Sequence, residues 1–403
     1  MTYRGDYAPV FIPITLKKNR VFNEWSVLAG NPPGDGPLII SGPCSAESEE
    51  QVTQTVNQLA VSGKVHAIRA GIWKPRTRPD SFEGIGAPAL SWLRRAGESV
   101  NLPVMTEVAN ALHVEQALNS GINMLWIGAR TTVNPFFVQE IAEALRGVDV
   151  PVFVKNPIHP EIGLWLGAIE RLEKVGINQI AAIHRGFYAH NFNPLRNEPK
   201  WEVSIELRTH RPDLPIICDP SHISGKRDYI YEVAQTALDL QLDGLMIESH
   251  VQPEKALSDA EQQLLPEEVL HLLDRIVIRD EDCPNTETVK KLEQLRSIID
   301  DIDHTLVDVL AKRRDMVELI GQVKKDNNVA ILQFQRWFAV LHDRKLHAEK
   351  LGIDNGFINE LFQLIHKFSI DVQQQMMVNG VEANGVSLNP EAKQLFDKKS
   401  DLP

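Results

Sequence analysis

The sequence predicts an α/β chain, a (β/α)8 barrel followed by an all-α domain of three helices that dimerises. Three observations carry this. Short apolar runs recur near residues 37–41, 66–70, 103–107, 124–128, 151–155, 179–184, 214–218 and 244–248. Helix-like segments fill most of the intervals, as at 49–62, 110–119, 135–146, 162–175 and 227–241. Beyond residue 274 that rhythm stops, and apolar side chains return at helical spacing from Val289 to Ile320. Apolar strands alternating with helices mean a parallel sheet covered on its faces. Eight units in roughly 230 residues point to a closed barrel. A doubly wound sheet is the rival, but no glycine-rich dinucleotide fingerprint follows the first run.

In order along the chain, residues 1–36 are a lead-in, with a strand expected at Val10–Ile14 and a partner around Val21-Phe22. The barrel occupies 37–274, and a polar linker, 275–285, contains Arg279-Asp280-Glu281-Asp282-Cys283-Pro284-Asn285. Asn285 or Thr286 caps the long helix that opens the helical domain, 286–377. Shorter helices are expected at 334–350 and 355–377, separated by Gly352 and Asn355-Gly356. A helix of this length with two short companions cannot cover its own apolar stripe, so a homodimer through this domain is expected. The polar tail, 378–403, is expected to be mobile.

The net charge of −12, from 54 acidic and 42 basic residues, argues against a nucleic-acid-coating protein. Three cysteines form no disulfide framework and suit a reducing compartment. No apolar run reaches the ~20 residues that cross a bilayer, and Met1–Asp6 lacks the apolar core of a signal peptide. A cytoplasmic location is therefore expected.

The polar residues that end the strands carry the chemistry. Cys218-Asp219-Pro220-Ser221-His222 follows the run Leu214-Pro215-Ile216-Ile217, and Glu248 ends Gly244-Leu245-Met246-Ile247. Cys44 follows Leu38-Ile39-Ile40 through Ser41-Gly42-Pro43, and Asp259 lies one loop beyond Glu248. A thiol, an imidazole and two carboxylates suit a divalent metal. Taken singly, Cys44 also suits a small core side chain and His222 a turn histidine. Cys218 is read as core and Cys283 as solvated. Four strand ends carry cations: Arg69 with Lys74 and Arg76 beyond it, Arg130, Lys155, and His184-Arg185. Beside acidic ligands these suggest a pocket for phosphates. The plainer alternative is a set of separate surface salt bridges.

Five motifs stand in order at strand ends: Gly42-Pro43-Cys44-Ser45, Lys74-Pro75-Arg76-Thr77, Gly128-Ala129-Arg130, Asp219-Pro220-Ser221-His222 and Ser258-Asp259-Ala260. By these, residues 37–265 resemble the 3-deoxy-D-arabino-heptulosonate 7-phosphate (DAHP) synthases of the type I-beta group, relatives of the 3-deoxy-octulosonate 8-phosphate synthases. The resemblance implies metal ligation by Cys44, His222, Glu248 and Asp259. It implies phosphoenolpyruvate binding by Arg69, Lys74, Arg130, Lys155 and Arg185, and erythrose 4-phosphate binding by Arg76 and Thr77. Mn2+ heads the implied metals, followed by Co2+, Fe2+ and Zn2+. Lys-Pro-Arg-Thr separates the chain from octulosonate synthases, which typically carry Lys-Ala-Asn-Arg-Ser-Ser; Arg78 stands where many relatives have serine. The implied chemistry is attack of phosphoenolpyruvate carbon 3 on the aldehyde, addition of water at carbon 2 and loss of phosphate. Metal-bound water, Lys74 and Glu107 are the candidate proton carriers.

Arg313 and Lys324 are 11 residues apart, about 20° around a helix and ~16 Å along it, so they share a face. Arg296 lies about 100° away, which assigns it to a partner chain's site, and Ser369 and Gln373 share a face one turn apart. Leu295–Asp303, Arg313-Arg314, Lys324, Arg336, Ser369 and Gln373 resemble the all-helical chorismate mutases. That implies rearrangement of chorismate to prephenate, with Lys324 and Gln373 flanking the ether oxygen and Arg296, Arg313 and Arg336 on the carboxylates. Gln333 stands where aspartate is common, and Trp337 where a glutamate often meets the substrate hydroxyl. The alternatives are a synthase whose helical domain only dimerises and senses prephenate, and an octulosonate 8-phosphate synthase. Feedback by prephenate or chorismate on the barrel is expected in either synthase reading.

Overall fold

A computed structural model describes residues 21–74, 81–188, 194–279 and 285–378. It divides into two compact units, Met1–Asp280 and Glu281–Pro403. The expected strand at Val10–Ile14, together with Arg76, Thr77, Arg78, Cys283 and the tail from 379, lies outside the described residues.

The first unit is a closed barrel of eight parallel strands in sequence order. They are β1 (Leu38–Gly42), β2 (Ala67–Arg69), β3 (Val104–Val108), β4 (Met124–Ile127), β5 (Val152–Lys155), β6 (Ile180–His184), β7 (Ile216–Cys218) and β8 (Gly244–Glu248). β1 closes on β8 with Leu38 opposite Gly244 and Gly42 opposite Glu248. Helices α1 (Glu49–Ala60), α2 (Pro88–Val100), α3 (Ala111–Asn119), α4 (Ala129–Thr132), α5 (Pro135–Ala144), α6 (Ile162–Lys174), α7 (Trp201–His210), α8 (Pro220–Ser224), α9 (Ile230–Asp239) and α10 (Pro266–Arg275) connect and follow the strands.

The strands read as unbroken apolar runs because both of their faces are buried. Along β4 and β5, Met124, Trp126 and Phe153 join a cluster with Leu38, Ile40 and Met246, whereas Leu125, Ile127, Val152 and Val154 join the cluster that includes Val138, Ile141 and Trp165 of the helices. This is the two-residue alternation of a strand between an inner and an outer core. Cys218 belongs to the outer core and is fully buried.

The lead-in departs from expectation. Val21–Glu24 and Ser26–Leu28 are 3-10 turns, not a strand. Three residues per turn set Phe22, Trp25 and Leu28 on one side, and all three are buried in the inner cluster. Trp25 meets Phe22 edge-on at 5.0 Å and Phe153 at 5.5 Å. Asn23 ties the segment down through reciprocal bonds with Gly34, 2.8 and 3.0 Å. Plugging a barrel calls for several large side chains on one side of a short segment, and an extended strand would have sent alternate ones away.

The second unit consists of α11 (Thr286–Asp326), α12 (Phe334–Lys350) and α13 (Asn355–Val378). Asn285 caps α11 by accepting from the Glu287 and Thr288 amides. The C-terminal half of α11 packs on α13, where Gly321 allows close approach of Gln373 and Met376. The N-terminal half is bare among the described residues: Leu292, Leu295, Ile298, Ile299, Ile302 and Leu306 are 41–60% exposed.

Candidate active sites

At the C-terminal rim of the barrel, Cys44, Glu248 and Asp259 offer ligand atoms that all lie within 4.8 Å of one another. Gly42, two residues before Cys44, lets β1 come close to the end of β2: its φ is 148°, and an added Cβ would collide with the Arg69 carbonyl. Cys44 Sγ lies 3.2 Å from Asp259 Oδ2 and accepts from Lys74 Nζ at 2.9 Å. His222 stands at the edge of the cluster, Nε2 3.8 Å from Glu248 Oε1 and Nδ1 2.8 Å from Asp219 Oδ2. Asp219 caps α8 by accepting from the His222 amide, so Asp219 both starts this short helix and holds its histidine.

Cations line the same rim. Arg69 donates to Glu248 Oε1 at 3.0 Å and to the Cys44 carbonyl at 2.9 Å. Lys155 donates to Asp219 Oδ2 at 2.8 Å. Both cations lie over the Trp126 ring, 4.9 and 5.7 Å from its centroid, and Trp126 Nε1 donates to Glu107 at 2.8 Å. Gly128 leaves room for that carboxylate, which an added Cβ would strike. Arg185 donates to Asn197 at 3.0 Å, and Asn197 donates to the His222 carbonyl at 2.6 Å. Arg130 is exposed.

The protonation states follow from this crowding. Burial and the nearby Glu248 carboxylate push the Cys44 thiol up to about 12, against the opposing pull of Lys74. Burial also raises the Glu248 and Asp259 carboxyls, but neighbouring cations outweigh it. His222, Arg69 and Lys74 hold Glu248 down, and Arg196, His222 and Lys74 hold Asp259 well below the usual carboxylate range. Burial lowers the His222 imidazole despite Asp219; the ring holds the carboxylates down only while protonated, and a metal would take it in the neutral form. Burial, with repulsion from Arg196 and Arg130, brings Arg185 down to about 10 despite Asp219. Such a concentration of positive charge favours a bound anion.

Several members of the site are not at charged strand ends. Arg196 donates to Asp259 Oδ1 at 3.0 Å and to Gln262 at 2.6 Å, and Gln262 donates to Glu248 Oε2 at 2.6 Å. Gln263 accepts from the Cys44 amide and donates to the Ser258 carbonyl, both at 2.9 Å. The one available signal was the pair Gln262-Gln263 directly after Ser258-Asp259-Ala260.

In the helical unit, Arg313 donates to Ser369 Oγ at 2.7 Å, and Gln373 donates to the Ser369 carbonyl at 3.2 Å. Lys324 donates to the Ile331 carbonyl at 2.5 Å. His366 stacks on Trp337, centroids 4.0 Å apart, and its pKa is lowered by burial and then by Arg313 and Lys324. Burial lowers Arg313 and Lys324 as well. Arg296, Gln333 and Arg336 are exposed, and Arg296 lies in the bare half of α11. Arg313, Ser369 and Gln373 are thus joined by hydrogen bonds, with Lys324 in electrostatic reach of the same His366, whereas the other three stand apart.

Fold and rim together define a (β/α)8 barrel with a thiol–carboxylate cluster and a cationic wall where its strands end. The DAHP synthetase I family model matches residues 12–281, and the chorismate mutase type II model matches residues 295–374. The chain belongs to the DAHP synthetase I family and carries, in its helical unit, a region of the type II chorismate mutase kind. A phospho-2-dehydro-3-deoxyheptonate aldolase of Thermotoga maritima is 30% identical over 226 residues, 56% of this chain and 64% of that one. The chain therefore spans just under two thirds of that relative's length. A 2-dehydro-3-deoxyphosphooctonate aldolase of Desulfotalea psychrophila is 28% identical over 270 residues, 63% of this chain and 93% of that one. The crystal structure of the Thermotoga maritima enzyme, a DAHP synthase, matches with a TM-score of 0.53 at 31% identity, covering 59% of this chain and 67% of that one.

Proposed function

We propose that the chain is a bifunctional enzyme. The barrel condenses phosphoenolpyruvate with erythrose 4-phosphate and water to give DAHP and phosphate, and the helical unit rearranges chorismate to prephenate. The observation that carries the barrel reading is the convergence of Cys44, Glu248 and Asp259 within 4.8 Å, beside the buried cations Arg69 and Lys155. The Cys44 sulfur, deprotonated on binding, the His222 imidazole and two carboxylates form a mixed donor set that fits a divalent first-row metal; the family resemblance puts Mn2+ first, with Co2+, Fe2+ and Zn2+ as further candidates. A bound ion would act as Lewis acid on the aldehyde oxygen.

The protein's own residues do the rest. Arg69, Lys74, Arg130, Lys155 and Arg185 bind the phosphate and carboxylate of phosphoenolpyruvate and offset the repulsion between two anionic reactants. Arg76 and Thr77 hold the acceptor phosphate. Lys74 Nζ and the Glu107 carboxylate are the protein groups for moving protons. The Lys74-Pro75-Arg76-Thr77 run favours the four-carbon acceptor, although octulosonate relatives are also similar in sequence. Phosphate release from phosphoenolpyruvate with erythrose 4-phosphate, and separately with arabinose 5-phosphate, tests this; faster release with the five-carbon sugar would reassign the barrel.

In the helical unit the rearrangement has no covalent intermediate, so holding the chair and stabilising charge on the ether oxygen suffice. Lys324 and Gln373 serve that oxygen, Arg313 and Arg336 the carboxylates, with Ser369 orienting Arg313 and Gln333 as a further substrate contact. The bare stripe on α11 supports a homodimer in which each chain lends Arg296 to its partner. The same stripe favours a second reading, a unit that only dimerises and senses prephenate. Chorismate consumption by the full chain separates the two. With phosphorylated metabolites as reactants and no described helix long and apolar enough to cross a membrane, the proposed compartment is the cytoplasm.

A further inference from the structure

Each carboxylate of the barrel cluster has one oxygen facing the cluster and one held from outside. Glu248 Oε1 faces Arg69 and His222, while Glu248 Oε2 accepts from Gln262 Nε2 at 2.6 Å. Asp259 Oδ2 faces Cys44, while Asp259 Oδ1 accepts from Arg196 at 3.0 Å. The two outer contacts are themselves joined, because Arg196 Nη1 also donates to Gln262 Oε1 at 2.6 Å. The result is a continuous chain, Glu248–Gln262–Arg196–Asp259. Asp259 needs such a hold: its φ of 49° and ψ of 42° put a residue other than glycine in the left-handed region. Gly225, at the end of the helix that carries His222, leaves the space Arg196 occupies, since an added Cβ would collide with the Arg196 Cβ.

We propose that Arg196 and Gln262 are positioning residues that fix which oxygen of each carboxylate is offered to the metal ion. The inference rests on the metal-dependent reading of the barrel. Partners that orient ligating groups set metal affinity as strongly as a weak ligand does, typically by about 10–100-fold. The two members differ in kind. The Gln262 side chain is 1% exposed, so its amide acts in a low dielectric. Arg196 is 43% exposed and screened by water on its outer side, so its geometry matters more than its charge.

A neighbouring arginine provides the control. Arg227 pins the same loop, but through main-chain acceptors rather than a carboxylate: the Gln263 and Ala260 carbonyls, at 2.7 and 3.1 Å. The experiment is a titration of the demetallated full chain with Mn2+ alone, free ion read by electron paramagnetic resonance and folding by circular dichroism. Gln262→Met and Arg196→Met are expected to raise the Mn2+ Kd by about 10–100-fold, Arg196→Lys less, and Arg227→Met not at all. Arg196, being partly open to solvent, gives a folded variant even if Gln262→Met does not fold. Unchanged Kd in Arg196→Met, or an equal loss in Arg227→Met, overturns the inference and leaves the metal-dependent reading standing. A wild-type chain that takes up no Mn2+ overturns that reading and the inference together.

Discussion

Lys155 Nζ and His222 Nδ1 both lie 2.8 Å from the same atom, Asp219 Oδ2. Asp219 is fully buried, and its carboxyl is held well below the usual range because His222 and Lys155 outweigh the effect of burial. One carboxylate thus joins the proposed phosphoenolpyruvate pocket to the proposed metal ligand. Asp219→Asn leaves Lys155 buried without its counter-charge and is expected to cost about 3 kcal/mol in urea unfolding. Phosphoenolpyruvate and Mn2+ affinities are expected to fall together.

Removal of the proposed metal is expected to separate the two proposed activities. Treatment with a chelator is expected to stop phosphate release from phosphoenolpyruvate and erythrose 4-phosphate, and to leave chorismate consumption unchanged. Readdition of Mn2+ restores the first.

Arg313→Ala and Lys324→Ala are expected to lower chorismate turnover by about a hundredfold to a thousandfold, the range for losing a positioned donor to developing charge. Phosphate release stays at the wild-type rate in both. Parallel loss of both activities would point to general unfolding.

His66 is expected to make the barrel acid-labile. Its Nδ1 accepts from the Ile39 amide at 2.9 Å, which needs an unprotonated nitrogen, and burial pushes its pKa from 6.5 down to about 4. Between these values the unfolded chain binds a proton that the folded chain does not, so stability falls as pH drops from 6.5 toward 4. Urea midpoints across that window are expected to slope less steeply for His66→Gln than for wild type.

Ile299→Glu combined with Ile302→Glu places charge in the bare stripe of α11. Sedimentation is expected to show a dimer for wild type and a monomer for the variant, with loss of chorismate turnover if Arg296 acts across the interface.

The eight strands are legible in the sequence because burial on both faces leaves each as an unbroken apolar run, and the polar residue that ends a run marks the rim. Glu248 could be singled out that way and Cys44 nearly so, three residues past its run, whereas Asp259 stands one loop beyond Glu248. Arg196 carries no such mark, and Gln262 only its place just after Ser258-Asp259-Ala260, because their two segments meet only when the barrel closes. Val21-Phe22 was misleading for a related reason: two apolar residues in a row suit a strand, and only the three-residue spacing of Phe22, Trp25 and Leu28 distinguishes a plug. In the helical unit, spacing placed Arg313 and Lys324 on one face, but it carried no sign of His366 stacking on Trp337 between the chemistry-bearing helices.

The plug formed by Phe22, Trp25 and Leu28 has a consequence for traffic. With the inner core stoppered by this aromatic and aliphatic bulk, the reactants proposed for the barrel would arrive and leave by the rim where its strands end. If the barrel runs the proposed condensation, inorganic phosphate and the new sugar acid would have to clear that rim before the next pair of anions could settle, which would make each turnover a queue.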